Sequence, residues 1–552
     1  MPKSNGVLDN WSSLYEFQSK ALTPNDLKDI TPNDSSKIFN QFLEILRHNV
    51  VSDKGNAFNK IFTLFLCKIY DEKFTPPNEE LRFQWLEAKD DHVDFQKRLT
   101  DLYKLGMDEF LDKEVTDLSD EDFENKYGIL ISDQDAKNKL LKEFTKIRLE
   151  KNNEFAIKEV FDSISFEENA KVVKEVVVLL QEYKIRYTKK QQYLSDFFEL
   201  LLTTGLKQES GQFFTPVPIA QFIIKSIPLD LLVKEKLGKG KRNELLPAVI
   251  DYASGSGHFV TESMHEIQKI ITSVNSNDFI ADTKDKLNAW KTNHFDWAFD
   301  YVYGIEKDYR LVKVGKVGCY LHGDGLAKVI HSDGLANFSE NIEYKSKLKN
   351  TNKDFPQDNN EFDIVVSNPP YSVSSFKNNA RKYYTKKDFS LYSKLTDNSS
   401  EIECLFIERT KQLLKPNGVA GIILPSSILS NSGIYSKTRE LFLQYFEIIG
   451  ITELGSNTFM ATGTNTVVLF LRRRDNYFIQ NLKIKVERAV NDIKDVTING
   501  IEKPIAKYIS HVWEGISFDD YKTLLKKSPN EKAQQHEIYQ EYAKKIKAKS
   551  EK

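Results

Sequence analysis

The chain has 552 residues, 40% hydrophobic and 29% charged, with 78 Lys and Arg against 80 Asp and Glu. At roughly 150 residues per domain this length predicts two to four domains. A formal net charge of −2 excludes a polycation, so a nucleic-acid surface has to be a local positive field or be shared with a partner. No apolar run reaches the ~18 residues of a membrane span, and the opening MPKSNGVLDNW is too polar for a signal-peptide core. Cys67, Cys319 and Cys404 are widely spaced and odd in number. They fit neither a disulfide framework nor a CxxC metal site, and predict a reducing, cytoplasmic setting and no bound metal.

Residues 1–165 read as an N-terminal all-helical domain. Two Thr-Pro-Asn-Asp segments, at 23–26 and 31–34, each offer Thr as an N-cap and Pro as the first helical residue. Behind the second, Ile38, Phe42, Ile45 and Leu46 fall on one helical face, and Phe58, Ile61, Phe62, Phe65, Leu66 and Ile69 make a second stripe. Such stripes are core packing in the first instance. Further apolar helical runs at 172–180 and 194–202 lead into Gly-Gln-Phe-Phe-Thr-Pro at 211–216.

From about 210 the pattern changes. Strand-like runs at 247–251, 301–306, 362–367, 418–424, 446–454 and 465–471 alternate with helical stretches. This alternation predicts an α/β domain over 166–475 with a mainly parallel sheet, whose ligands bind at the carboxyl ends of the strands. Residues 476–552 read as a Lys-rich helical tail, either a solvated surface or a place for a partner to dock.

The chemistry-bearing motifs stand at the expected strand ends. Asp251-Tyr252-Ala253-Ser254-Gly255-Ser256-Gly257-His258-Phe259 follows the run at 247–251 and precedes a predicted helix from Phe259 to about Ile271. Glycines in such a turn let a cofactor approach the backbone and meet the helix N-terminus. The spacing matches neither the dinucleotide fingerprint nor a phosphate loop. Glu306 ends the run at 301–306, where an acid can accept hydrogen bonds from both hydroxyls of a ribose. Its distance from the glycines requires an inserted segment around 272–300. Asp324, in Leu-His-Gly-Asp-Gly at 321–325, ends the next short apolar run and can accept a bond from an adenine amino group; as an Asp-Gly pair it also reads as a simple turn.

Asn368-Pro369-Pro370-Tyr371, directly after the run at 362–367, is the most specific motif. Two prolines cannot continue a sheet ladder, and they fix a rigid extended turn. An exocyclic amine such as that of adenine is a poor nucleophile because its lone pair is delocalised into the ring. The Asn368 side-chain carbonyl and the Pro369 backbone carbonyl can each accept one N–H, favouring a pyramidal nitrogen whose lone pair faces an electrophilic methyl. Such catalysis works through positioning and electrostatics, without a covalent enzyme intermediate. Tyr371 can stack on the base, which must be flipped out of a duplex to be reached.

Together, Gly-Gln-Phe-Phe-Thr-Pro, Asp-Tyr-Ala-Ser-Gly-Ser-Gly and Asn-Pro-Pro-Tyr resemble the N6-adenine DNA methyltransferases, and more narrowly the modification subunit of type I restriction–modification systems. The resemblance covers about 190–475. It implies a Rossmann-like class I methyltransferase sheet and S-adenosylmethionine as methyl donor. It further implies that Gln212, Phe213, Phe214, Thr215 and Pro216 flank the methionine part of that cofactor. Asp251, Ser254, Gly255, Ser256 and Gly257 would line it, Glu306 would hold its ribose and Asp324 its adenine. Asn368, Pro369, Pro370 and Tyr371 would hold the target adenine. Many relatives carry Pro and Cys where this chain has Tyr252 and Ser254.

Between Phe376 and Lys394, Lys377, Arg381, Lys382, Lys386, Lys387 and Lys394 alternate with Phe376, Tyr383, Tyr384, Phe389 and Tyr392. Basic residues can neutralise phosphates and aromatics can stack on unpaired bases, so this stretch is expected to contact DNA. No second base-reading domain is visible, nor a nuclease cluster or ATP-binding loop. With the resemblance, this implies double-stranded DNA as substrate, a separate specificity subunit, a restriction subunit, and a hetero-oligomer with two copies of this chain. Two other readings stay open: a glutamine-amide protein methyltransferase, which poses a similar problem at nitrogen, and a non-catalytic scaffold subunit that keeps the fold.

Overall fold

A computed structural model describes residues 21–550 apart from 88, 112, 117–118, 187–214, 322–326, 350–356, 375, 378–383, 456–457, 460–464 and 499. Helices α1 (Pro32–His48), α2 (Lys54–Phe74), α3 (His92–Leu111), α4 (Asp120–Lys126), α5 (Gln134–Lys151) and α6 (Ser163–Gln181) make up the N-terminal part. Of the two Thr-Pro-Asn-Asp segments only the second starts an α-helix. Thr31 caps α1 in a reciprocal box with Asp34, whereas Thr23 leads into a single 3-10 turn, Pro24–Asp26. The local caps are alike; the sequence behind them differs. Ile38, Phe42 and Leu46 give α1 a buried face, while Leu27 is extended and Lys28 bridges to Tyr183.

The α/β part follows as α7 (Val217–Ser226), α8 (Leu229–Lys239), β1 (Val249–Asp251), α9 (His258–Ser273), α10 (Ala281–Thr292), α11 (Ala298–Tyr301), β2 (Val302–Glu306), α12 (Tyr309–Leu321), β3 (Lys328–His331) and β4 (Phe362–Ser367). It continues through α13 (Glu403–Leu413), β5 (Leu414–Pro425), α14 (Ser427–Ser430), α15 (Ile434–Tyr445), β6 (Phe446–Leu454) and β7 (Thr466–Arg473). The seven strands form one sheet in the order β3-β2-β1-β4-β5-β7-β6. Strands β3, β2, β1, β4 and β5 run parallel and β7 is antiparallel to β5. The order changes direction at β1, so the ends of β1 and β4 flank the crevice where such sheets bind ligands.

All six strand-like runs lie in the sheet, but the seventh strand, β3, is not among them. It is four residues long, and only Val329 and Ile330 are buried, too little apolar sequence to stand out. The apolar residues up to Leu321, read above as the run before Asp324, end helix α12 instead. Asp324 itself lies outside the described residues. Gln268 ties the insertion between the glycine turn and Glu306 together at three points. Gln268 Oε1 accepts from Phe295 N at 3.0 Å and Trp297 Nε1 at 2.8 Å, and its Nε2 donates to the Trp290 carbonyl at 3.1 Å.

The described chain divides into two compact units, one with the residues up to Glu440 and Ile448–Arg472, the other with Leu441–Glu447 and the residues from Arg473 on. In the first, a continuous apolar core runs from α1, α2, α3 and α6 to the helices and strands of the sheet. Helix α12 joins them: Tyr320 meets Phe110 with ring centroids 4.8 Å apart, and Tyr309 Oη donates to Met107 Sδ at 3.4 Å. The second unit holds α16 (Asn476–Asp492), a small hairpin of β8 (Thr497–Ile498) and β9 (Ile501–Glu502), and α17 (Pro504–Val512), α18 (Phe518–Leu525), α19 (Glu531–Gln535) and α20 (Glu537–Ser550). No described helix is long and apolar enough to cross a membrane. Cys67, Cys319 and Cys404 are free thiols, and each is buried.

Candidate active site

The glycine turn links the end of β1 to the start of α9. Asp251, 2% exposed, accepts the Ser367 hydroxyl at 2.6 Å and the Ala253 N–H at 3.1 Å. Ser367 ends β4, so this bond ties the two central strand ends together. Burial pushes the Asp251 carboxyl up to about 7 against those bonds, with the nearby Glu306 charge adding to the rise. Ser254 N donates to the Ile305 carbonyl at 2.9 Å, fastening the turn to β2. Gly255 has a φ of +53°, a left-handed conformation that glycine adopts without steric cost. A Cβ there would meet nothing within 4 Å, so the turn leaves an open approach to its backbone.

Glu306 reaches across the insertion to this turn. Its Oε2 accepts Gly255 N at 2.8 Å and its Oε1 accepts Asp308 N at 2.7 Å. Each carboxylate oxygen keeps a further lone pair for a ligand hydroxyl. Burial raises the Glu306 pKa, and the backbone N–H groups of Asp308, Gly255 and Lys307 act against that rise. Beside it, His331 of β3 pairs with Glu306 in register and Ser332 N donates to the Glu306 carbonyl at 3.0 Å. The acid that follows this strand end is Asp333, in Ile-His-Ser-Asp-Gly-Leu at 330–335. Asp333 pairs with Lys307 at 2.9 Å and accepts the Leu335 N–H at 2.9 Å. In the sequence Asp333 is hard to tell from Asp324, because Leu-His-Gly-Asp-Gly-Leu at 321–326 nearly repeats the same letters nine residues earlier; the strand that separates the two is too short to read.

Tyr252, where many relatives of the resembled family carry Pro, is buried. Its ring stacks on Phe406 with centroids 5.2 Å apart, and its hydroxyl lies 2.9 Å from Thr410 Oγ1. Its carbonyl packs so closely on Gly334 that any side chain at 334 would collide with it. The Tyr252 side chain therefore fastens the glycine turn to α13, while its backbone carbonyl, common to any residue at 252, abuts the loop after β3.

Three sequence motifs meet at Thr215. Its carbonyl accepts from His258 Nδ1 at 2.6 Å, and its hydroxyl accepts from Asn368 Nδ2 at 3.2 Å. His258 is the first residue of α9, immediately after Gly257, and its place beside the glycine motif was the available signal for it. With Nδ2 engaged, Asn368 Oδ1 is buried and has no hydrogen-bond partner among the described residues, and the same holds for Ser254 Oγ. A buried polar atom left in this way calls for an explanation, and a ligand supplies one. Pro369 is buried and Pro370 half-buried. Tyr371 is 2% exposed, and burial together with the Glu403 charge pushes its hydroxyl up to about 12.

The remaining sequence candidates fall into three groups. Pro216 N-caps α7 directly after Thr215, and Ser256 is buried within the glycine turn. Gln212, Phe213, Phe214, Arg381 and Lys382 lie outside the described residues. In the basic-aromatic stretch, Lys386, Lys387 and Lys394 are exposed. Lys377 is held internally, donating to the Leu395 carbonyl at 2.6 Å with its ammonium 4.9 Å from the Tyr392 ring centroid. The aromatics there are a correction to the sequence reading. Phe376, Tyr384 and Phe389 are buried, and Tyr384 packs edge-on against Phe389 and Tyr392. These three rings are turned inward and shape the segment, whereas Tyr392 is half-buried and Tyr383 lies outside the described residues. Alternation of basic and aromatic residues looks the same in sequence whether the rings point in or out.

A family model described as N-6 DNA Methylase matches residues 189–549. Over 292 residues the chain is 27% identical to the type II restriction enzyme and methyltransferase RM.Eco57I of Escherichia coli, covering 47% of this chain and 28% of that protein. It is 20% identical over 322 residues to the type I restriction enzyme EcoEI methylase subunit of Escherichia coli, covering 58% of this chain and 54% of that one. The chain thus spans about half the length, or less, of these curated relatives. Among solved structures, the type I restriction-modification system methyltransferase subunit from Streptococcus thermophilus aligns over 85% of this chain and 94% of its own. The identity is 16% and the TM-score 0.42, a likeness too low to carry an argument.

Proposed function

Because the chain belongs to the N-6 DNA methylase family, we propose that it methylates the N6 amino group of adenine in DNA, as the modification subunit of a type I restriction–modification complex. The observation that carries this reading is the meeting at Thr215, which sets Asn368 beside the glycine turn with its carbonyl oxygen unclaimed.

S-adenosylmethionine fits the residues present. Gly255 leaves its backbone approachable, Ser254 Oγ awaits a partner, and Glu306 retains acceptor capacity for two ribose hydroxyls. Asp251 and Glu306 both have raised pKa values, and a ligand that brings hydroxyl donors and positive charge offsets the cost of keeping them ionised. Asp333, at the strand end next to Glu306, is the residue we assign to the adenine amino group in place of Asp324. When bound, S-adenosylmethionine supplies a methyl group on an electrophilic sulfonium.

The chain's own residues do the rest by position. Asn368 Oδ1 and the Pro369 carbonyl each accept one N–H of the target amine. Thr215 holds the Asn368 amide in the orientation that presents its oxygen. The two acceptors favour the tetrahedral nitrogen of the transition state over the planar ground state, which is the differential binding that accelerates a reaction. Lys386 and Lys387 supply exposed positive charge for the DNA backbone.

Residues 1–165, 166–475 and 476–552 serve in this reading as helical domain, methyltransferase domain and docking tail. The tail exposes the apolar side chains of Tyr477, Phe478, Tyr508, Ile538, Tyr542 and Ile546. We assign this surface to a separate specificity subunit, in an assembly with two copies of this chain, double-stranded DNA and a restriction subunit. Transfer of a tritiated methyl group from S-adenosylmethionine tests the chemistry. Label in DNA that is lost in Asn368→Ala supports the reading; label in a protein glutamine, or in nothing, contradicts it.

A further inference from the structure

Ser372, the residue after Asn-Pro-Pro-Tyr, has a φ of +57°. A non-glycine residue in this left-handed region is strained and persists only where its surroundings hold it. What holds it is buried. Ser372 N donates to Glu403 Oε2 at 3.2 Å, and the other oxygen of the same carboxylate accepts the Tyr435 hydroxyl at 2.7 Å. Glu403 is fully buried at the start of α13, and Tyr435 stands near the start of α15. Neither residue belongs to any motif in the sequence reading.

Burial of a carboxylate is costly unless its oxygens are bonded, and Glu403 directs one of its two oxygens at the backbone of the catalytic turn. The prolines at 369 and 370 fix the turn from within but donate no N–H. Ser372 therefore carries the hydrogen bond that fastens the far end of the turn to α13. The near end is fastened by Asn368 to Thr215 and by Ser367 to Asp251. Tyr371 lies between these anchors, its hydroxyl raised by burial first and by the Glu403 charge second.

We propose that Glu403, set by Tyr435, is a positioning residue for methyl transfer: by holding Ser372 N–H it fixes the end of the Asn-Pro-Pro-Tyr turn and so the placement of the Asn368 and Pro369 acceptors. It touches neither cofactor nor target base. The inference rests on the proposed function.

The test compares the full-length wild type with Glu403→Ala, Glu403→Gln and Tyr435→Phe, each with its specificity partner. Two readouts are taken: hydrogen exchange at the Ser372 amide, and steady-state methylation. In Glu403→Ala the amide should exchange faster and kcat should fall about 10- to 100-fold, the scale of a small misplacement of reacting groups. KM for S-adenosylmethionine should stay within about twofold, because only the transition-state interaction is removed. Gln keeps an acceptor oxygen for Ser372, so Glu403→Gln should restore both readouts most of the way, with Tyr435→Phe in between. Unchanged exchange at Ser372 in Glu403→Ala overturns the inference, as does faster exchange with an unchanged kcat. If Glu403→Ala does not fold, a kcat in Glu403→Gln as low as that of an inactive enzyme overturns it instead. A wild type that transfers no methyl group overturns the proposed function and this inference with it, whereas a methylating wild type with an indifferent Glu403 overturns the inference alone.

Discussion

The Asn368 side-chain amide donates to Thr215 Oγ1 at 3.2 Å, and its oxygen has no partner among the described residues. The pairing orients a side chain that otherwise could present nitrogen or oxygen equally well. Thr215→Val removes the hydroxyl at nearly constant volume and frees the amide to turn. Methylation should fall about 10-fold in kcat while cofactor affinity holds, and Asn368→Ala should cost on the order of 10²–10³. Steady-state kinetics alongside calorimetric cofactor binding separate the two effects.

Glu306 bonds the glycine turn and is assigned to the ribose. Replacing it with Ala removes charge-assisted acceptors, each worth about 1.5–3 kcal/mol. Cofactor affinity should drop at least 10-fold, with adenosine affected in parallel. If adenosine loses no affinity in the variant, Glu306 does not hold the ribose.

Asp251 gives a pH dependence whose sign is fixed by its burial. Its carboxyl is raised from 3.8 to about 7 in the folded protein. Between these values the folded state binds the proton and the unfolded state does not, so stability falls as pH rises through the window. Asp251→Asn keeps acceptors for Ser367 and Ala253 without the charge. The stability of the cofactor-free variant relative to wild type should therefore increase from pH 4 to 7, by on the order of 1 kcal/mol per pH unit. Denaturant melts at several pH values measure this, and a difference that stays flat with pH contradicts it.

Tyr252 stacks on Phe406 and reaches Thr410. Truncation to Ala should cost about 3–5 kcal/mol, as for other large buried aromatics. Tyr252→Phe should cost only about 1 kcal/mol for the hydroxyl. Equal effects of the two in thermal or chemical melts would show that packing on Phe406 contributes nothing.

Lys386 and Lys387 are exposed, whereas Lys377 is committed to the Leu395 carbonyl and the Tyr392 ring. Replacing Lys386 and Lys387 with Ala should weaken DNA binding and reduce its log–log salt slope by about 1 for each phosphate no longer neutralised. Lys377→Ala should lower stability instead and leave the slope unchanged. Binding isotherms across salt concentrations distinguish these outcomes.

The sequence disclosed what depends on local pattern. Six strands were legible from their apolar runs, and the strand-end positions of Asp251, Glu306 and Asn368 from the motifs around them. Strand β3 was not, because two buried residues make no pattern, and the strand-end position of Asp333 was hidden with it. Thr23 and Thr31 show the limit of local signals: each begins the same Thr-Pro-Asn-Asp sequence, yet only Thr31, with a buried stripe behind it, starts an α-helix. Long-range partners were invisible for the same reason. Glu403 lies 31 residues from Ser372, and Thr215 lies 153 residues from Asn368. No spacing rule connects positions brought together by strand order.

Methylation of adenine N6 through Asn368 is tested most directly by sequencing genomic DNA for modified bases in cells that express this chain with its specificity partner, beside cells with the chain alone and with the Asn368→Ala pair. The expected result is N6-methyladenine at one defined motif with the pair, and none with the chain alone or the variant. Equal methylation by Asn368→Ala, or a modified base other than N6-methyladenine, would contradict it.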